Sequence, residues 1–147
     1  METWELNQLK KEYLNGYWNA KRKEKRILEQ IQQLRLDTMF PCLQGDGMPR
    51  GSSQSDLSDY MSKYGELMDQ LEEERLEAVR QYTDIHNAIR SMENEEEKEI
   101  LERKYLMRQT WEEVAREIGC DRRTAIRKHG NALKNFQIPE SCHCMSL

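Results

Sequence analysis

The chain has 147 residues, enough for one or two small domains, and 37% of them are hydrophobic against 34% charged, with seven glycines and three prolines. That balance describes long solvated helices around a thin core and excludes a large globular interior. A net charge of −4 argues by itself against nucleic acid; no apolar run nears the roughly 20 residues of a bilayer span, and METWELNQLKKEY lacks a secretory apolar block, so the expected location is cytoplasmic with no membrane partner.

Residues from Thr3 to Asp37 read as the first helical segment. Leu6, Tyr13, Ala20, Ile27 and Leu34 recur every seven residues, with Leu9, Tyr17 and Ile31 beside them, as in a coiled-coil seam that Asn15-Gly16 can loosen. Residues 38–56 hold both internal prolines and the densest glycine and serine cluster, which reads as a linker. A second long helix is expected from Leu57 to Met92. Its seam runs through Tyr60, Tyr64, Leu67, Leu71, Ala78, Tyr82, Ile85, Ile89 and Met92 in steps of threes and fours. Residues 1–92 are thus expected to form a long antiparallel helical hairpin, a surface on which a homodimer can also form.

Residues 93–138 are expected to form a separate trihelical domain. The run ENEEEKE from Glu93 suits a helix N-terminus, where carboxylates meet the positive end of the dipole, and equally suits a solvated hinge. Ile100, Leu101, Tyr105 and Leu106 supply apolar contacts for Trp111, Val114, Ile118, Leu133 and Phe136. Thr110 and Glu113 make a capping box for a helix starting at Trp111, and Gly119 can take the left-handed conformation just past its end. Asp121 then caps another helix, leaving a turn of Gly119, Cys120 and Asp121.

On that last helix Ala125, His129, Ala132, Leu133 and Phe136 share one face, and Arg122, Arg123, Ile126 and Arg127 share the opposite one. Two short helices joined by a tight turn, the second opening with arginines, have the form of a helix-turn-helix. Such a motif places the start of its second helix in the major groove, where arginine binds guanine O6 and N7 and an apolar side chain meets a thymine methyl. The expected base contacts are therefore Arg122, Arg123, Ile126 and Arg127, with Thr110, Lys128 and Lys134 toward phosphate. Charge distribution supports double-stranded DNA as partner despite the average: residues 1–36 carry eight basic and five acidic side chains, residues 55–99 five and fourteen, and residues 100–138 nine and five.

The four cysteines, Cys42, Cys120, Cys142 and Cys144, lack zinc-finger spacing, so free thiols and no metal are expected, with Cys142-His143-Cys144 at most a weak adventitious ligand. His86 and His129 read as structural. No nucleophile, base and oxyanion set is visible and Gly45-Asp46-Gly47 has no phosphate-loop lysine after it, so neither an enzyme nor a cofactor is expected. Residues 139–147 follow the last helix as an expected disordered tail.

Trp111-Glu112-Glu113-Val114-Ala115, Ile118-Gly119, Arg122-Arg123, His129-Gly130 and Ala132-Leu133-Lys134 resemble the C-terminal segment of small phage and prophage proteins related to region 4 of sigma-70 factors, the ArpU/RinA type of late transcriptional regulator. Leu101-Glu102-Arg103-Lys104-Tyr105 resembles the helix before the motif, and Asp46-Gly47-Met48-Pro49-Arg50-Gly51 a recurrent loop between the two long helices. Arg108 and Lys128 stand where such proteins usually have a glycine and an apolar residue. The resemblance implies a transcriptional regulator that binds promoter DNA, with RNA polymerase as a further partner. Two other readings stay open: a DNA-packaging component like a small terminase subunit, and a coiled-coil adaptor whose helix-turn-helix binds protein.

Overall fold

The computed structural model describes residues 2–39 and 54–140, and the regular elements among them are helical. In chain order they are α1 (Thr3–Leu14), α2 (Gly16–Met39), α3 (Gln54–Arg90), α4 (Glu95–Leu101), a π-helical turn (Glu102–Leu106), α5 (Trp111–Ile118) and α6 (Arg122–Asn135). The protein is all-α, as its periodicity implies. The segment expected as one helix from Thr3 is divided at Asn15, whose backbone takes φ −80° and ψ −4°. Asparagine and glycine are both poor helix formers, so the pair is the cheapest place for the interruption. Gly16 also tolerates a close neighbour, since a Cβ there would stand 2.6 Å from Gln81 Oε1.

The chain forms two compact units, one comprising the described residues of Ala20–Glu77 and the other those of Met1–Asn19 with Ala78–Leu147. A cut after residue 92 passes through the second of these. In the first unit α2 and α3 run antiparallel: Arg75 donates to Glu24 at 3.3 Å and Arg35 donates to the Tyr64 hydroxyl at 3.0 Å. Ile27, Ile31 and Leu71 are buried between them, with Tyr64 and Leu67 packed alongside. These are seam positions from both periodic readings. Of the linker expected over 38–56, residues 38–39 end α2 and 54–56 open α3, while residues 40–53, with Cys42 and the expected loop from Asp46 to Gly51, lie outside the described residues.

The second unit is built around α6. Leu14 of α1, Ile85 and Ile89 of α3, Leu101, Tyr105 and Leu106 share a core with Ala132, Leu133 and Phe136. The start of the seam differs from expectation: Leu6 and Leu9 are 40% and 43% exposed, whereas Lys10 and Leu14 point inward. Counting back from Leu14 in helical steps reaches Lys10, and Leu9 lies about 100° off that line. Asn94 caps α4, its side chain accepting from the amides of Glu96 at 2.9 Å and Glu97 at 3.2 Å. The Glu93 run thus opens a helix rather than forming a hinge. After the π-helical turn, Met107 donates to the Glu102 carbonyl at 2.9 Å, and Arg108 takes a left-handed φ of 52° before the chain enters α5.

α5 begins as its capping box requires, with Glu113 N bonded to Thr110 Oγ1 at 3.3 Å and Thr110 N to Glu113 Oε2 at 2.9 Å. It ends at Gly119, φ 83° and ψ 38°, a conformation that glycine adopts without a Cβ penalty. Asp121 occupies the next N-cap with extended backbone, φ −85° and ψ 164°. Ala125, His129, Ala132, Leu133 and Phe136, the five inward positions expected of α6, are all buried. Ile138 still packs on this core, while residues 141–147, with the Cys142-His143-Cys144 cluster and most of the expected disordered tail, lie outside the described residues.

Candidate nucleic-acid interface

Because α6 buries one face, its other face is fixed in space. Arg122, Arg123, Ile126 and Arg127 are all exposed there, and Asp121, Arg122, Arg123 and Ile126 line a shallow depression. Ile126, 40% exposed, is the apolar residue among charges. Arg122 Nε lies 3.2 Å from Glu112 Oε1 of α5, but both side chains are more than three-fifths exposed, at 62% and 64%. Pairs of that kind contribute about 0–1 kcal/mol, so releasing Arg122 to a stronger acceptor costs little. Among the described residues, Arg123 and Arg127 have no ion pair. The Asp121 carboxyl sits below its ordinary value, held first by the Thr124 side chain and further by backbone amides and the Arg127 charge.

The three residues expected to meet phosphate have different surroundings. Lys134 is exposed near the end of α6. Lys128 pairs with Glu96 in the first turn of α4, so its ammonium ties two helices together and must leave that carboxylate to reach an external anion. Thr110 is exposed at the N-cap of α5, its oxygen already accepting from Glu113 and its neighbours Glu112 and Glu113 both acidic. Of the seven sequence-predicted residues, the structure thus brings the four on the outer face of α6 into one patch and leaves Thr110 in acidic company.

Behind the patch lies an aromatic brace. The buried His129 ring meets Trp111 edge-on at 4.9 Å, and its Nε2 is 2.7 Å from the Tyr105 hydroxyl. Burial, with the charges of Lys11 and Lys104 adding to it, lowers His129 to about 4, and burial raises Tyr105 to about 12. At neutral pH the imidazole is uncharged and its Nε2 is bonded to the Tyr105 hydroxyl, as befits a structural histidine. Lys104 covers the Trp111 ring with its ammonium 4.5 Å from the centroid.

Lys10 is the residue that pattern reading missed. It is buried, and Nζ donates to the Leu133 carbonyl at 2.7 Å and the Lys134 carbonyl at 3.4 Å. A cation at the last carbonyls of a helix meets the negative end of its dipole, so α1 holds the far end of α6. Arg108 is the second omission: its guanidinium lies 5.4 Å from the Trp18 ring centroid. Its only signal in sequence is an arginine where the resembling proteins have glycine.

A different surface of the same unit is acidic. Glu95, Glu96, Glu99, Glu102 and Glu117 line an open groove together with His86, Arg90 and Lys98. Cys120 in the turn is a half-buried free thiol, and among the described residues no three acidic, histidine or cysteine side chains gather as a metal site. No helix among them is long and apolar enough to cross a membrane.

Fold and surface together define an all-α protein that presents an arginine-rich helix after a tight glycine turn. The chain belongs to the family described as protein of unknown function (DUF1492), whose model matches residues 48–137, from the linker through the end of α6. No curated protein and no solved structure matches it.

Proposed function

We propose that the chain is a sequence-specific DNA-binding transcriptional regulator of the phage or prophage type, acting in the cytoplasm through a sigma region 4-like helix-turn-helix formed by α5 and α6. The observation that carries this reading is the exposed patch of Arg122, Arg123, Ile126 and Arg127 on the first two turns of α6, backed by the buried opposite face of the same helix. An α-helix fits the major groove, about 12 Å wide, and arginines at its N-terminal end reach base edges there. In this reading Arg122, Arg123 and Arg127 take guanine edges and Ile126 a thymine methyl. Lys134 takes phosphate, and Lys128 does so after exchanging Glu96 for it.

The test is titration of fluorescent duplexes chosen from a random pool, against scrambled controls at fixed salt. Arg122→Ala and Arg127→Ala are each expected to lose about 1–3 kcal/mol on matched sites, roughly 5- to 150-fold in affinity. Lys134→Ala weakens matched and scrambled duplexes alike. Unchanged matched affinity in both arginine variants would overturn the reading face. No binding by the wild-type chain at low salt would favour the adaptor reading.

A further inference from the structure

The unit of Ala20–Glu77 is a single layer of two helices whose buried apolar residues, among the described residues, are Ala20, Ile27, Ile31 and Leu71. Stable packed units set at least two layers around a core, so a layer this thin has a face left to cover. One side of it carries an apolar stripe on α3, interrupted by the exposed Glu72. On α3, Leu57, Met61, Met68 and Leu76 are 61%, 57%, 39% and 53% exposed. At about 100° per residue they fall within a sector of about 100°. Arg75, two turns beyond Met68, borders that sector and reaches across to Glu24 of α2. On α2, Lys21, Leu28 and Arg35 recur every seven residues; Leu28 is 41% exposed, and Arg35 reaches across to Tyr64 of α3. These two cross-connections place both stripes on the same side of the helix pair. Gly65 lies between Met61 and Met68 with nothing within 4 Å of a Cβ built on it, leaving the centre of the face open.

The same unit is electrically two-sided. Residues 20–39 of α2 carry six basic and three acidic side chains, and residues 54–77 of α3 carry two and eight. We propose that a second copy of this chain covers the apolar face, forming an antiparallel four-helix bundle in which α3 of each copy lies against α2 of the other. A two-fold axis parallel to the helices produces that arrangement and sets acidic α3 on basic α2 at both contacts. An axis across the helices would set α3 on α3 and α2 on α2, acid on acid and base on base. The face is about 30 Å long and about 20 Å wide. With side-chain relief it approaches the roughly 800 Å² per partner of a stable interface. This dimer does not rest on the DNA reading, and its test uses no DNA.

Sedimentation equilibrium of the full chain is expected to give twice the 17.6 kDa chain mass. Met61→Glu with Met68→Glu should weaken association at least about 100-fold, because two apolar side chains are lost from the interface and charge is added. Leu28→Glu, on the other helix, should act in the same direction, and Leu6→Lys on α1 should leave the mass unchanged. Circular dichroism verifies that each variant keeps its helices. Association weakens as salt rises when α3 lies over α2; association that strengthens with salt overturns the orientation. A wild-type chain that stays at the single-chain mass at about 100 µM, or a folded double methionine variant that associates as tightly as wild type, overturns the dimer.

Discussion

Arg108 holds a left-handed backbone, φ 52°, with its guanidinium over the Trp18 ring. An L-residue there costs about 1–2 kcal/mol. The ring contact returns about 0.5–1 kcal/mol, and glycine would add about as much again in unfolded-chain freedom. Arg108→Gly is therefore expected to leave stability within about 0.5 kcal/mol, while Arg108→Ala, which keeps the strain and loses the ring, costs about 0.5–1 kcal/mol in urea denaturation. His129 gives a pH-dependent counterpart. Its folded value of about 4 lies below the ordinary 6.5, so protonation favours the unfolded chain. Its contribution is complete above about pH 6.5 and falls away as pH drops toward 4, by about 3 kcal/mol. Denaturation midpoints measured from pH 7 to 4 should show that loss in the wild type. In His129→Gln, whose side chain does not titrate and can still meet the Tyr105 hydroxyl, the His129 component should vanish.

At the scale of elements, α6 depends on α1. Replacing Lys10 by Met keeps the stem and removes the two bonds to the Leu133 and Lys134 carbonyls, which should cost about 1–3 kcal/mol in thermal or urea unfolding. For the same reason a fragment of residues 93–138, deprived of Lys10, Leu14, Ile85 and Ile89, should melt at a lower temperature than the full chain by circular dichroism. The helices of this region are largely legible in the sequence, because capping and periodicity are local: Thr110, Glu113, Gly119 and Asp121 mark ends, and Ala125, His129, Ala132, Leu133 and Phe136 mark an inward face. The phase of α1 was not legible. A lysine reads as solvent-facing until the carbonyls it serves are known, and those lie more than 120 residues away. The exposed arginine patch could likewise be read from the spacing. The ion pairs of Arg122 with Glu112 and of Lys128 with Glu96 could not, since they depend on how α5 and α4 lean on α6.

For the proposed DNA binding, the question at the scale of the whole molecule is whether the average charge or its distribution governs. The chain carries −4 overall, but acidic residues more than about 8 Å from the duplex are screened at physiological salt, whereas arginines in contact release counterions directly. With Lys128 and Lys134 on phosphate, the slope of log affinity against log salt is expected to be about −2 per bound chain, and steeper for a dimer. Titrations at several salt concentrations check it, with Lys128→Ala and Lys134→Ala each making the slope shallower by about one.

The bond from Lys10 to Leu133 also sets an order of events. It joins residues 123 apart, whereas the pairings of Arg75 with Glu24 and Arg35 with Tyr64 span 51 and 29 residues. A growing chain can close the shorter pairings while its C-terminal helix is still unmade, and the ammonium of Lys10 stays in water until then. α6 is thus seated only once the chain has been made through Leu133, and a product truncated before Leu133 retains the pairings of α2 with α3 without a seated α6.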